Sequence, residues 1–114
     1  EQAFFEASGF RVVAMRGLGL QADREIARLE PEDAIRLVAE IDTPESDAIF
    51  VSCTNFHVLE AIPAIESAHG KPVVTSNQAG AWAALRALGI DDPVPGAGVL
   101  LTLPMPAIAG VSVT

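Results

Sequence analysis

The stretch Ala48-Ile49-Phe50-Val51-Ser52-Cys53-Thr54-Asn55 decides how this chain is read. Its first four residues form an unbroken apolar run, the pattern of a strand buried on both faces. The run ends in a small polar cluster around the chain's only cysteine. Val58, Leu59, Ile62 and Ile65 then recur at helical spacing. A strand that passes into a helix here delivers a thiol to a helix N-terminus. Backbone N–H groups and the positive end of the helix dipole at such a place favour anions and lower a thiol's pKa.

Working outward, the same grammar repeats. Pro72-Val73-Val74-Thr75 is a second buried strand, and Ser76-Asn77 a second polar corner. A helix follows it through Trp82, Leu85 and Leu88 to a stop at Gly89. Upstream, Pro31 suits a first helical position, with Glu32 and Asp33 in the first turn and Ile35, Val38 and Ile41 as an apolar stripe. Phe10 to Met15 predicts a further strand. Glu1 to Ser8 predicts a helix tail with Phe4 and Phe5 inward and Gly9 as its stop. Arg16 to Glu30 is a loop with a little helix near Glu25 to Leu29. Asn55 is the expected N-cap of a helix to about His69, within which Pro63 predicts either a kink or accommodation at some cost. Val99 to Leu103 is a candidate final strand. Residues 91–114 are otherwise a Pro- and Gly-rich loop and an apolar tail, which leaves 1–90 as the α/β part.

Continuously apolar strands that alternate with helices predict an α/β fold: a doubly wound, mostly parallel sheet covered on both faces. Ligands of such sheets bind outside the carboxyl ends of the strands. Arg16 to Arg24, Cys53 to Asn55 and Ser76 to Gln78 all fall there, so three loops can converge on one site.

Composition excludes several functions. The chain has 114 residues, half of them apolar, which is enough for one domain with a core and too apolar for a disordered segment. It carries 7 basic and 15 acidic residues, a formal charge of -8. That balance argues against a nucleic-acid groove and against an anionic membrane surface. A small anion is still acceptable, because a local backbone nest binds anions on an acidic protein. A single cysteine forms no internal disulfide and nothing resembles a signal peptide, so a cytoplasmic setting is expected. No apolar stretch reaches membrane-spanning length before Gly or Pro interrupts it. The chain begins at Glu1, without methionine and within a helical pattern, and reads as a fragment.

Cys53 has two readings. It is either a small buried hydrophobe, or a thiol that moves a proton or attacks carbon. Its polar neighbours on both sides favour the second. Thr54 and Asn55 either cap the following helix or hold a carboxylate against the thiol, and these roles are compatible. Ser76, Asn77 and Gln78 carry the same ambiguity. One thiol with His57 and His69 matches no structural zinc pattern. His57 is either a partly exposed helix residue or the general base of a Cys–His pair, and His69 is a favourable cation near a helix end. Trp82, at helical spacing with Leu85, is expected in the core. Gly17-Leu18-Gly19 lacks the third glycine of a dinucleotide fingerprint.

Several of these residues carry a resemblance. Ser52-Cys53-Thr54-Asn55-Phe56 with Leu59-Glu60-Ala61-Ile62, and Gly70-Lys71-Pro72-Val73-Val74-Thr75-Ser76-Asn77-Gln78-Ala79 with Trp82, resemble the carboxyl-terminal half of maleate cis-trans isomerases. These belong to the aspartate/glutamate racemase superfamily, together with arylmalonate decarboxylases. Gly9-Phe10, Val12-Val13, Gly17-Leu18-Gly19-Leu20 and Glu25-Ile26 fit as well, so the resemblance runs from about Phe4 to Leu101. It implies two similar α/β lobes around one site, a cysteine from each lobe, no metal or organic cofactor, a small dicarboxylate substrate and a homo-oligomer. It makes Cys53 the acid/base cysteine, and Thr54, Asn55, Asp23, Ser76 and Asn77 the substrate-binding residues.

The sequence departs from that pattern in three ways. The first lobe with its nucleophilic cysteine is absent, as is the strand expected just before Glu1 with its tyrosine. The sequence has no tyrosine. Asp23 stands where the family has an asparagine, and a carboxylate there repels a dianion unless it is protonated or turned away. The residues after about Leu101 match nothing in the family. The expected function is therefore one incomplete lobe of a maleate-to-fumarate isomerase, inactive by itself. A lyase of the arylmalonate decarboxylase type, an amino-acid racemase and a non-catalytic carboxylate-binding domain are the alternatives.

Overall fold

The computed structural model describes residues 2–17, 28–52 and 58–106. Cys53, Thr54, Asn55, His57, Asp23 and the short helix expected near Glu25 lie outside them. The order is helix α1 (Gln2–Ala7), helix α2 (Pro31–Ile41), strand β1 (Ile49–Val51), helix α3 (Ile62–His69), strand β2 (Val73–Thr75) and helix α4 (Ser76–Ala87). Short 3₁₀ turns sit at Leu59–Ala61 and Val99–Thr102. Among the described residues no helix is long and apolar enough to cross a membrane.

β1 and β2 pair in parallel, with Ile49 opposite Val73, Phe50 opposite Val74 and Val51 opposite Thr75. The two continuous apolar runs thus become a parallel α/β unit, as their composition predicts. The core forms where α2 and α3 pack on this pair. Ala34, Val38, Ile49, Val58, Ala61, Ile62, Ile65 and Val73 are buried together, with Leu29, Ile35 and Val51 packed against them. Ile62, Ile65 and Val73 are fully enclosed, and truncating either isoleucine to alanine costs about 2–5 kcal/mol.

Helix ends follow from local chemistry. Pro31 opens α2, and the Glu30 N–H donates to Asp33 Oδ2 at 2.8 Å. α3 ends at Gly70, whose left-handed φ of +65° suits a residue without a side chain. Pro63 lies in the first turn of α3 and makes no kink there. The regular helix begins at Ile62, after the 3₁₀ turn, and so starts later than Asn55. In the first turn a proline's missing N–H interrupts no helical bond.

Two expected strands are absent. Phe10 to Met15 carries no ladder, and its apolar side chains are largely outside, with Phe10 63% and Met15 55% exposed. The observed sheet has two strands, and no described strand lies beside this segment to receive its backbone bonds. Phe5 does turn inward, with its ring 4.9 Å from that of Phe50. Phe4 points out, at 71% exposure. Val99 to Leu103 is a 3₁₀ turn followed by extended chain, because its carbonyls are spent on a side chain of α4 rather than on a ladder.

At the amino-terminal end of β2 a polar knot fastens the sheet to α2 and α3. Lys71 Nζ donates to Asp42 Oδ1 and the Thr43 carbonyl, each at 2.6 Å, and to Ser46 Oγ at 2.8 Å. His69 Nδ1 lies 2.8 Å from Asp42 Oδ2. His69 is thus held by a specific carboxylate as well as by its place near a helix end. The bonded Lys71 ammonium holds the Asp42 carboxyl down to about 2, from 3.8, against a partial desolvation that pushes it up; His69 and Ser46 add to the lowering. A carboxylate with a lowered folded-state pKa stabilises above its ordinary value and loses that contribution as pH falls through the folded value. The knot is therefore expected to weaken between about pH 4 and pH 2. In a carboxyl NMR titration Asp42 should have its midpoint near 2, and Lys71→Met should move that midpoint up toward the ordinary range.

Candidate active site

The parallel register sets the geometry of the site. Val51 lies opposite Thr75, so Ser52 and Ser76 leave the sheet level with each other, on adjacent strands about 4.8 Å apart. The chain enters Cys53, Thr54 and Asn55 from one of these ends, and Ser76 and Asn77 open α4 at the other. Two of the three expected loops thus leave the same end of adjacent strands, the first of them described only as far as Ser52. Asp23, the contribution of the third, lies outside the described residues.

α4 is capped in a way that separates two roles. Thr75 Oγ1 accepts the Gln78 N–H at 3.1 Å, and Gln78 Oε1 accepts the Thr75 N–H at 3.1 Å, a reciprocal capping box. Capping therefore falls to Thr75 and Gln78. Ser76, half-buried, and Asn77, exposed, occupy the first two helical positions and are not the N-cap. The twelve-residue helix points its positive end at this corner, which favours a bound carboxylate.

Three further residues fix the rim, and sequence reading missed two of them. Arg86, 5% exposed, fans its guanidinium over main-chain carbonyls: Nε to Leu103 at 2.9 Å, Nη1 to Ile90 at 2.8 Å and Nη2 to Leu101 at 3.0 Å. Among the described residues no carboxylate forms an ion pair with it. Its position in the last turn of α4 supplies the compensating negative dipole end. Glu66, on α3, accepts the Val73 N–H at 3.0 Å and the Val99 N–H at 3.1 Å. Trp82 is half-buried rather than in the core, and its Nε1–H donates to the Leu103 carbonyl at 2.9 Å. Together these bonds strap residues 90–103 across α4 and the free edge of β2. The spacing of Glu66 and Arg86 carries no sign of this, since each looks like an ordinary solvated helix charge.

The arrangement is that of a known family. The profile for arylmalonate decarboxylase matches residues 2–101. The chain belongs to the arylmalonate decarboxylase family. Within it, the maleate isomerase of Pseudomonas putida is 35% identical over 100 residues, covering 87% of this chain and 40% of that protein. Arylmalonate decarboxylase of Bordetella bronchiseptica is 34% identical over 89 residues, covering 76% of this chain and 37% of that protein. A cysteine-to-serine mutant of the Nocardia farcinica maleate cis-trans isomerase, solved with a covalently bound succinylcysteine intermediate, superposes with a TM-score of 0.80 at 32% identity, covering 86% of this chain and 40% of that one. The chain spans about 40% of the length of the curated maleate isomerases it matches. The resemblance to the maleate isomerase branch and the α/β parallel fold are both borne out.

Proposed function

We propose that this chain is the carboxyl-terminal lobe of a two-lobed isomerase that interconverts maleate and fumarate, with Cys53 as its acid/base thiol. The succinylcysteine adduct of the Nocardia farcinica relative carries this reading, because it is a thiol joined to the carbon skeleton of the dicarboxylate.

The reaction needs two thiols. A thiolate of the other lobe adds to one alkene carbon of maleate and forms a C–S bond. Cys53 gives its proton to the neighbouring carbon, which leaves a C–C single bond free to rotate and a Cys53 thiolate. After rotation that thiolate takes a proton back from the same carbon, the C–H electron pair re-forms the double bond, the C–S pair leaves with the other lobe's sulfur as a thiolate, and fumarate departs. Thr54, Asn55, Ser76 and Asn77 hold the carboxylates, aided by the positive end of α4. Asp23 joins them when protonated or turned aside. The reaction has no use for a metal or an organic cofactor, since every step is a thiol or proton transfer. A lone cysteine fits a reducing cytoplasm, and the protein is expected to act as a homo-oligomer.

The family profile also favours a second reading. In a decarboxylase, Cys53 would protonate the carbanion that loss of carbon dioxide leaves on a substituted malonate. The product decides. Given maleate and phenylmalonate separately, the full-length protein should form fumarate from the first and release no carbon dioxide from the second. Carbon dioxide without fumarate makes it a lyase. The 114-residue chain alone is expected to convert neither.

A further inference from the structure

Gln78 does more than complete a capping box. Its side chain is 3% exposed, and both ends of its amide are used. Oε1 accepts the Thr75 N–H, and Nε2 donates to the Ala97 carbonyl at 2.7 Å. The second bond crosses nineteen residues and joins the first turn of α4 to the turn at 95–98. That turn is seated without slack. Gly98 has φ +89°, and a Cβ there would lie 2.5 Å from Gln78 Nε2, 2.7 Å from Ile62 Cγ2 and 3.2 Å from Glu66 Oε1. Gly98 is therefore wedged between α3, which follows β1, and α4, which follows β2. On the next residue, the Val99 N–H is held by both oxygens of Glu66.

A capping box needs an acceptor at this position, and glutamate supplies one as well as glutamine. Only the amide also carries a donor for Ala97. We infer that Gln78 is a positioning residue, which fixes the 95–98 turn as a wall beside the Ser76-Asn77 corner and thereby sets the shape of the dicarboxylate site. The inference rests on the isomerase reading of that corner.

Gln78→Glu isolates the effect, because it keeps the acceptor for the Thr75 N–H and loses the donor to Ala97. In the full-length protein this variant should keep the helical content of the wild type, with an unfolding midpoint lowered by the Ala97 carbonyl left without its donor. Its KM for maleate should rise about tenfold, with a smaller change in kcat. Amide exchange at Val99 should quicken. Gly98→Ala drives a methyl group into the same contact with Gln78 and should raise KM in the same way. An active wild type whose Gln78→Glu variant retains its KM overturns the inference. So does a variant that loses stability with KM unchanged, which would make Gln78 a fold residue only. A wild type that does not turn over maleate overturns the isomerase reading, and the inference with it.

Discussion

Replacing Cys53 by serine in the full-length protein is expected to lower kcat for maleate by about 10³-fold or more, while a non-reactive dicarboxylate such as succinate binds within about threefold of the wild type. A positioned general acid or base contributes 10² to 10⁴ in rate, and a serine hydroxyl is far too weak an acid to replace a thiol near neutral pH. In the proposed site the carboxylates are assigned to other groups, so binding should survive. Steady-state kinetics with a calorimetric succinate titration separates the possibilities. Turnover lost with binding kept is the signature of a catalytic thiol. Binding and physiological function both unchanged would make this lobe a carboxylate-binding module.

Arg86→Met is the second large effect. The substitution preserves much of the side-chain volume and removes every donor. Three carbonyls now held at 2.8–3.0 Å lose a charged donor; Leu103 keeps the Trp82 Nε1–H and Leu101 the Val94 N–H, while Ile90 is left without its described partner. A hydrogen bond to a charged group contributes about 1.5–3 kcal/mol, and with two of the acceptors still served a loss of about 2–4 kcal/mol is expected. Small domains hold only about 5–15 kcal/mol in total. Urea unfolding should therefore show a midpoint lowered by about half, or a chain already unfolded in buffer. Arg86→Lys should recover only part, because one ammonium cannot reach carbonyls spread from Ile90 to Leu103. A midpoint close to the wild type in Arg86→Met would show that the strap over α4 holds without this residue.

The features that sequence exposed were local ones. β1 and β2 announce themselves as continuous apolar runs and do pair in parallel, but the expected burial on both faces fails for β1, where Phe50 is 44% exposed. Pro31 marks the start of α2 and Gly70 the end of α3, because each fixes a backbone conformation within one turn. The polar corner after β2 was also legible, as was the family; the corner after β1 lies, beyond Ser52, outside the described residues. The errors arose where a distant neighbour decides the outcome. Phe10 to Met15 has the composition of a strand, but a ladder needs a partner, and none lies beside it among the described residues. Val99 to Leu103 has the same composition, yet its carbonyls turn to Arg86. The Asp42–Lys71 bond joins residues 29 apart, and the Gln78–Ala97 bond residues 19 apart. No local pattern encodes such a contact. Pro63 shows a milder error, since the rule for proline was sound and the assumed start of the helix was not.

The division of labour between two cysteines is the centre of this account, and peptide mapping tests it most directly. Full-length protein is mixed with maleate, quenched with acid during turnover, digested, and searched by mass spectrometry for a succinyl adduct. The adduct is expected on a cysteine outside these 114 residues, with Cys53 unmodified in the same digest. A succinyl group on Cys53 itself would contradict the account, for it would make this thiol the nucleophile rather than the group that moves the proton.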